Sequence, residues 1–255
     1  MKVPLTRRGF GVRAAEILAV SLLAGCDRRW ASSWLNRVLG TAESATRVVH
    51  SLLTPRRAMA REFSEADVSR TFPTNGTTNP QDADYQALAR RGFAAWRLRI
   101  DGLVEQPLAV SLAELRALPS RTQITRHDCV EGWSAIAKWK GVPLSTLLAQ
   151  AGVRPDARYV VFHCADPMRE DGDRYYESVD LDEARHAQTI LAYEINDRAL
   201  PVEYGAPLRL RVERQLGYKM AKYVMRIEAV ESYAQIAGGK GGYWEDRGYA
   251  WYAGI

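Results

Sequence analysis

The chain has 255 residues, a hydrophobic content of 47% and a charged content of 25%, values typical of a soluble globular protein. The formal net charge is +5, and the first 25 residues contribute four cations against one acid. The rest of the chain is therefore close to neutral, and neither its charge nor its motifs indicate a protein that binds nucleic acid.

The amino-terminal segment carries two export-type motifs in order. TRRGF at residues 6–10 resembles a twin-arginine (Tat) signal, and the apolar run at 17–24 is too short to span a bilayer as a mature helix. LAGC at residues 23–26 resembles a lipoprotein cleavage box with Cys26 as the lipidated residue. We therefore predict an export signal over residues 1–26 and a lipid anchor on the periplasmic side of the cell membrane. The alternative is an uncleaved basic amphipathic leader.

Residues 27–68 have helical character without turn signals, and Trp30, Trp34 and Leu35 share one face. This pattern indicates a helical spacer or linker, and we expect one domain over residues 69–255. Cys26, Cys129 and Cys164 are the cysteines of the chain, and their spacing matches no zinc motif.

Short strands and short helices alternate through the expected domain. Trp96, Leu98 and Ile100 alternate with charged residues before an Asp-Gly turn, which predicts a strand entering a hairpin. Ser111 and Glu114 form a capping box that predicts a short helix. We expect further strands at 121–127, 159–164, 175–179, 190–195, 208–212 and 223–229, and further helices at 144–151 and after residue 180. This order predicts an α+β domain with a mixed sheet.

Cys129 lies at the end of an expected strand, within TRHDCVEGWSAIAKW at residues 125–139. Loops on a rigid scaffold often carry functional residues, and a thiolate is a soft metal ligand or a nucleophile. The alternative is a disulfide with Cys164, because an exported protein folds in an oxidising compartment. The residues alone leave both possibilities open.

Three cations lie close together in sequence, at Arg209, Lys219 and Lys222. Such cations, together with the backbone N–H groups of a glycine-containing turn, can bind a phosphate. The alternative is a solvated basic edge. The aromatic residues of the tail at 238–255 could line a substrate entrance or pack the tail onto the domain. His127 and His163 could be ligands, although a histidine on a strand is more commonly structural.

Five segments, in the same order along the chain, resemble the sulfite oxidase family of molybdopterin enzymes. They are CVEGWS at Cys129, WKGVPLSTLL at Trp139, YYESVDLDEA at Tyr175, LAYEINDRALPVEYGAPLRLRV at Leu191 and LGYKMAKYV at Leu216. The resemblance covers about residues 72–255 and is closer to the bacterial periplasmic branch, which includes the methionine-sulfoxide reductase catalytic subunits. It implies the sulfite oxidase-type fold, with mixed β-sheets and short helices, and a molybdenum-molybdopterin cofactor.

The resemblance also implies site residues. Cys129 would give molybdenum a protein sulfur ligand, and Tyr175 would donate a hydrogen bond to a metal-oxo group or an oxyanion. Arg209 would meet the pterin phosphate together with the turn Met220-Ala221-Lys222. The other implied cofactor contacts are Asn75, Cys164 and Tyr204, of which the last two depart from the residues usual in the family.

The implied activity is two-electron oxygen-atom transfer on a small-molecule substrate, such as an oxyanion or a sulfoxide. Acids rather than cations follow Cys129, which favours a substrate other than sulfite. The chain lacks a Cys-x-x-Cys-His heme motif, so we expect a separate electron-transfer partner such as a cytochrome or a membrane redox protein. The alternative is a non-catalytic exported lipoprotein module with a Cys129–Cys164 disulfide.

Overall fold

The computed structural model describes residues 57–168 and 173–255, together with the isolated residues 41, 45, 49 and 55. The chain divides into two compact units, Met1–Val49 and His50–Ile255. The export signal and most of the spacer lie outside the described residues, so those assignments and the domain boundaries stay predictions. Within the described ranges, no helix is long and apolar enough to cross a membrane.

The second unit contains two five-stranded sheets. The first sheet has the order β2-β1-β10-β5-β6, with β1 and β10 parallel and the other neighbours antiparallel. Its strands are β1 (Arg97–Gly102), β2 (Leu108–Ser111), β5 (Tyr159–Pro167), β6 (Arg174–Asp180) and β10 (Val224–Val230). The expected hairpin of β1 and β2 is therefore present, and the parallel pair makes this a mixed sheet.

The second sheet has the order β3-β4-β7-β8, and β9 pairs with β7. All of its pairings are antiparallel. Its strands are β3 (Arg121–Asp128), β4 (Ser134–Pro143), β7 (Ile190–Ile195), β8 (Arg198–Ala199) and β9 (Arg209–Arg211). This sheet positions the site, because β3 leads into Cys129 and β9 begins at Arg209.

The described helices of the second unit are short, and three of the four begin where the sequence predicts, whereas the sequence did not suggest a helix at Ala83–Arg90. They are α1 (Ala83–Arg90), α2 (Leu112–Ala117), α3 (Leu144–Ala151) and α4 (Leu181–Ala184). The Ser111 side chain accepts a hydrogen bond from the Glu114 amide, and both halves of the capping box are formed. Mixed sheets with short helices confirm the predicted α+β class.

One apolar core joins the two sheets. Leu98 and Val160 of the first sheet belong to the same buried cluster as Leu191 and Leu210 of the second. A smaller cluster around Phe72 and Trp139 lies on the second sheet, next to the turn that carries Cys129. Two separately twisted sheets are thus fixed against each other, which gives loops at their ends a rigid base.

The structure differs from the sequence expectations in two further places. Residues 57–64 do not continue a helix, since Glu62 forms a bridge with Thr125 and the Phe63 amide donates to the Ile124 carbonyl. Strand β4, which the sequence did not suggest, buries Ala135, Ala137 and Trp139 along one face. Alanine carries little β-propensity, so its alternation with polar residues is a weak strand signal.

Candidate active site

Cys129 occupies a tight turn between β3 and β4. Its amide donates to the Trp133 carbonyl (2.9 Å), and its own carbonyl accepts from the Gly132 amide (3.0 Å). Gly132 has φ +89°, a conformation that a side chain would strain. Cys129 is only 8% exposed, yet it lines a cavity of about 170 Å³. The turn therefore presents one thiol to this cavity.

The thiol of Cys129 has few partners in the protein. Burial raises the pKa of the thiol, and the nearby Glu131 charge acts in the same direction. The Asn75 side-chain amide lies 3.6 Å from Sγ and donates a long hydrogen bond to it. A thiolate at this position needs a cation to stabilise it, and a bound metal ion is the cation that deprotonates cysteine outright.

Arg209 and Arg211 neighbour each other on β9, but only one of them is neutralised. Arg211 is fully buried and forms an ion pair with Glu213 (2.6 Å). Arg209 is 2% exposed, donates to the Tyr204 carbonyl (3.2 Å), and has no partner for Nε among the described residues. Burial, followed by the charge of Arg211, lowers the pKa of Arg209 to about 9. Arg209 is thus a buried cation that has no anionic partner among the described residues.

Lys222 adds a second cation to the same cavity. Its ammonium donates to the backbone carbonyls of Asn75 (2.7 Å) and Thr77, which accept without neutralising its charge. Burial, followed by the charge of Arg209, lowers the pKa of Lys222 to about 7. Asp166 opposes this effect, but burial also raises the pKa of Asp166, to about 6. The cavity therefore has an excess of positive charge on its inner side.

The turn at residues 217–220 forms another wall. A Cβ on Gly217 would lie 2.4 Å from the His127 ring, so only glycine lets the turn approach β3 this closely. Lys219 faces away from the cavity and forms ion pairs with Glu177 (2.5 Å) and Glu245 (2.7 Å), all three being buried. The turn is thereby fixed from behind by charge as well as by packing.

Tyr175 contributes its ring to the cavity. Its hydroxyl donates to the Tyr218 carbonyl, and burial, followed by the charge of Glu177, raises the pKa of the phenol. The sequence placed this hydroxyl as a donor to a metal-oxo group or an oxyanion. In the structure its proton is already committed to the protein backbone, so that role stays a prediction.

The cavity brings together most of the residues that the sequence selected. Those that line it are Asn75, Cys129, Tyr175, Arg209, Met220 and Lys222. Cys164, Tyr204 and Ala221 are not in its lining: Cys164 and Ala221 pack in the main core, and the Tyr204 hydroxyl donates to the Phe72 carbonyl (2.8 Å). Their predicted contacts with the cofactor stay predictions.

His127 and His163, the two histidines considered as possible ligands, have structural positions. Arg211 donates to His127 Nδ1 (3.0 Å), which leaves the ring proton on Nε2, and burial lowers the pKa of this imidazole. His163 pairs with Glu228 (2.9 Å). Neither histidine lines the cavity.

The sequence missed several cavity residues. Asp166 lies near the end of the buried strand β5, Met168 follows that strand, and Tyr218 lies in the glycine turn. Trp244 and Tyr249 come from the carboxy-terminal tail, whose aromatic content was the one available signal. Cys129 and Cys164 both carry free thiols, so the alternative with a disulfide between them is wrong.

Comparison with known proteins decides the family. A family model described as "Oxidoreductase molybdopterin binding domain" matches residues 86–236 of the chain. The chain belongs to this family. It is a molybdopterin-dependent oxidoreductase with the molybdenum-molybdopterin cofactor, which confirms the family, fold class and cofactor that the sequence resemblance implied.

Individual relatives agree with the family. A protein of Azospira oryzae, provisionally named the protein-methionine-sulfoxide reductase subunit YedZ1, is 39% identical over 251 residues, which are 97% of this chain and 87% of that protein. The protein-methionine-sulfoxide reductase catalytic subunit MsrP of Xanthomonas axonopodis pv. citri is 38% identical over 154 residues, 57% of this chain and 48% of MsrP. The sulfane dehydrogenase SoxCD of Paracoccus pantotrophus shares 28% identity and a TM-score of 0.49 over 55% of this chain and 39% of the SoxCD chain.

The residues of the cavity fit a phosphate-bearing molybdopterin. Arg209 and Lys222 would hold its phosphate, since Arg209 is a buried cation with an unsatisfied Nε among the described residues and Lys222 is a partly buried cation beside it. Gly217 lets the 217–220 wall pack closely on β3, and the Cys129 thiol faces the same cavity. The two cations therefore match the phosphate of the cofactor, and the Cys129 thiol matches its metal, which accepts a sulfur ligand.

Proposed function

We propose that this protein reduces organic sulfoxides, and methionine sulfoxide in particular, by two-electron oxygen-atom transfer at a molybdenum centre ligated by Cys129. The balanced reaction is sulfoxide plus two electrons and two protons to sulfide plus water. The relatives named as protein-methionine-sulfoxide reductase subunits support the substrate class. The observation that carries the chemistry is that one cavity holds a free thiol and two cations, of which Arg209 has an unsatisfied Nε and no carboxylate partner among the described residues.

Cys129 suits the role of metal ligand better than that of a nucleophile. A nucleophilic cysteine needs a depressed pKa, whereas burial raises the pKa of this thiol. A ligand needs a fixed direction, which the hydrogen bonds of the 129–133 turn provide. The Asn75 amide, 3.6 Å from Sγ, would then tune the electron density on the sulfur.

The bound cofactor supplies the oxygen-atom transfer chemistry, and the protein residues position and enclose it. Lys222 connects the phosphate site to the Asn75–Thr77 loop through its backbone contacts (2.7 Å to the Asn75 carbonyl). Tyr223 adds a hydrogen bond from its hydroxyl to the Thr77 carbonyl (2.8 Å). Phosphate binding and placement of the Asn75 amide beside Cys129 are therefore parts of one rigid unit.

The charge of the outer cavity favours a sulfoxide over sulfite. Glu131 is exposed and lines the cavity, while Arg209 is buried on the inner side. A dianion would meet this carboxylate on approach, which disfavours its binding, whereas a neutral sulfoxide has no such cost.

We also propose the cellular setting from the sequence motifs. The TRRGF and LAGC segments support export by the twin-arginine route and lipid tethering at the periplasmic face of the membrane. Relatives named as subunits support a separate partner protein that delivers electrons. Intact-mass analysis tests the first proposal, because a start that is neither cleaved nor lipidated would refute it.

The holoenzyme tests the catalytic proposal directly. Protein matured in a molybdopterin-producing host should contain about one molybdenum per chain and oxidise a reduced viologen dye when methionine sulfoxide is added. Cys129→Ser should lose turnover while keeping its circular dichroism spectrum, because the thiol lies in a turn outside the strands. Lys140→Met, at a half-exposed lysine of β4 paired with Glu194, is the control and should retain molybdenum and turnover.

Two results would overturn the proposal. Full turnover in Cys129→Ser would exclude Cys129 as a required ligand. Sulfite oxidation by the wild-type holoenzyme without any sulfoxide reduction would reverse the assignment of substrate.

A further inference from the structure

The entrance of the cavity is built from aromatic side chains of the carboxy-terminal tail. Trp244 and Tyr249 both line the cavity, and their rings stack with centroids 5.3 Å apart and planes 28° apart. Tyr218 meets Tyr249 edge-on, with centroids 5.2 Å apart. Tyr249 is 41% exposed and Val130, on the Cys129 turn, is 44% exposed. The outer wall is therefore apolar and open to solvent, in contrast to the charged inner side.

The tail holds these rings in place before any substrate arrives. Glu245, between the two rings in sequence, is buried and forms an ion pair with Lys219 (2.7 Å). The Tyr249 amide donates to the Trp244 carbonyl (3.0 Å), and Gly248, at φ +102°, makes that turn possible. A surface that is already ordered loses little conformational entropy when a ligand binds.

The side chains of this entrance determine which kind of molecule it can bind. Stacked aromatic faces favour apolar groups, sulfur and cations. Among the described lining residues, the acid exposed at the entrance is Glu131, which accepts a hydrogen bond from the Trp133 indole (3.0 Å). An apolar wall beside a carboxylate fits a neutral or cationic organic molecule and disfavours an anion.

We propose that Trp244 and Tyr249 determine substrate specificity by binding the organic groups that flank the sulfoxide, and that Glu131 excludes negatively charged substrates. This proposal rests on the sulfoxide reductase function proposed above. It predicts a preference for sulfoxides with an aromatic or extended apolar substituent over dimethyl sulfoxide, and for basic over acidic flanking residues in methionine-sulfoxide peptides.

The test compares two sulfoxides on the holoenzyme. We expect the ratio of kcat/KM for methyl phenyl sulfoxide to that for dimethyl sulfoxide to fall about tenfold in Trp244→Ala and in Tyr249→Ala. A change of about tenfold is near the upper end of the interaction energy of one contact with an aromatic ring. The loss should lie mainly in KM, because the rings contact the substrate away from the sulfoxide. Tyr233→Ala is the control: Tyr233 stacks on Trp251 away from the cavity and should keep the wild-type ratio.

A second measurement separates this proposal from the reductase function. Methyl phenyl sulfone and dimethyl sulfone cannot be deoxygenated through the same sulfoxide reaction, so their binding to the holoenzyme by calorimetry reports recognition alone. Preferential binding of the phenyl compound, weakened about tenfold in Tyr249→Ala, supports the aromatic surface even if neither sulfoxide is reduced. Equal binding of both sulfones, or unchanged ratios in both ring variants, overturns it.

Peptides test the charge preference. Methionine-sulfoxide peptides with lysine flanks should have several-fold higher kcat/KM than those with glutamate flanks at low ionic strength. Glu131→Gln should remove that difference. A wild-type enzyme that prefers acidic flanks would overturn the role given to Glu131.

Discussion

Lys222 makes anion binding by the cofactor-free protein depend on pH. Burial, followed by the charge of Arg209, lowers the pKa of Lys222 from 10.5 to about 7. A bound phosphate or sulfate would raise that pKa again, because a nearby opposite charge favours the protonated form. Anion affinity is therefore complete below a pH of about 7 and is lost as the pH rises above it. The folded pKa lies below the unfolded one, so the cofactor-free domain itself gains stability over the same rise.

The size of the effect follows from the pKa. Each pKa unit corresponds to about 1.4 kcal/mol. At pH 9, about two units above the pKa of about 7, protonating Lys222 costs about 2.7 kcal/mol, and since about half of Lys222 is protonated at pH 7, affinity should fall roughly fiftyfold between pH 7 and pH 9. The measurement should stop near pH 9, because the pKa of Arg209 is about 9.

Calorimetric titration of the cofactor-free protein with sulfate measures this linkage. Sulfate stays a dianion across the range, so only protein groups change protonation. At pH 8, repeating the titration in two buffers of different ionisation enthalpy should reveal uptake of about 0.9 proton per anion, as expected for a pKa of about 7. Lys222→Met should bind more weakly and show a much smaller pH dependence, whereas Lys140→Met, at a half-exposed lysine paired with Glu194, should match the wild type. An affinity that is constant from pH 7 to pH 9 would show that protonation of Lys222 does not control anion binding.

Three further variants test the surroundings of the cavity. Lys219→Met leaves the buried carboxylates of Glu177 and Glu245 without their cation and should lower the free energy of unfolding in urea by about 3–5 kcal/mol, with recovery when both become glutamine. Tyr204→Phe loses one hydrogen bond, so it should cost about 1 kcal/mol while leaving the molybdenum content unchanged. Gly217→Ala places a Cβ 2.4 Å from an imidazole and should reduce both thermal stability and molybdenum content.

Local sequence signals predicted most of the secondary structure. The capping box at Ser111, the proline and glycine around α3, and the apolar run of β5 depend on residues near each other in the chain, so their outcome needs no tertiary information. Strand β4 was missed because two of its buried positions are alanines and a third is a glycine, which become strand residues only through pairing with β3 and β7. Tertiary pairing outweighed local propensity there.

The candidate site likewise contains residues that local sequence signals predicted and residues that only the tertiary fold brings in. Cys129 was predictable because an unusual residue stands at the end of a recognisable strand. The entrance was not, because Trp244 and Tyr249 reach the cavity only when the tail folds back, and aromatic residues in a tail more often pack than bind. Cys164 and Tyr204 were selected through family positions, and the structure places both outside the lining.

Arg209 shows why a charged strand can mislead. Alternation of arginine with leucine on a strand usually means one wet face, yet every residue of β9 is buried. Arg211 is neutralised by Glu213, and Arg209 is left with an unsatisfied Nε among the described residues. Burying such a cation is unfavourable until an anion arrives. A cofactor phosphate bound at Arg209 would therefore stabilise the folded domain as well as equip it for catalysis, since the binding energy of a ligand specific to the native state adds to the free energy of unfolding.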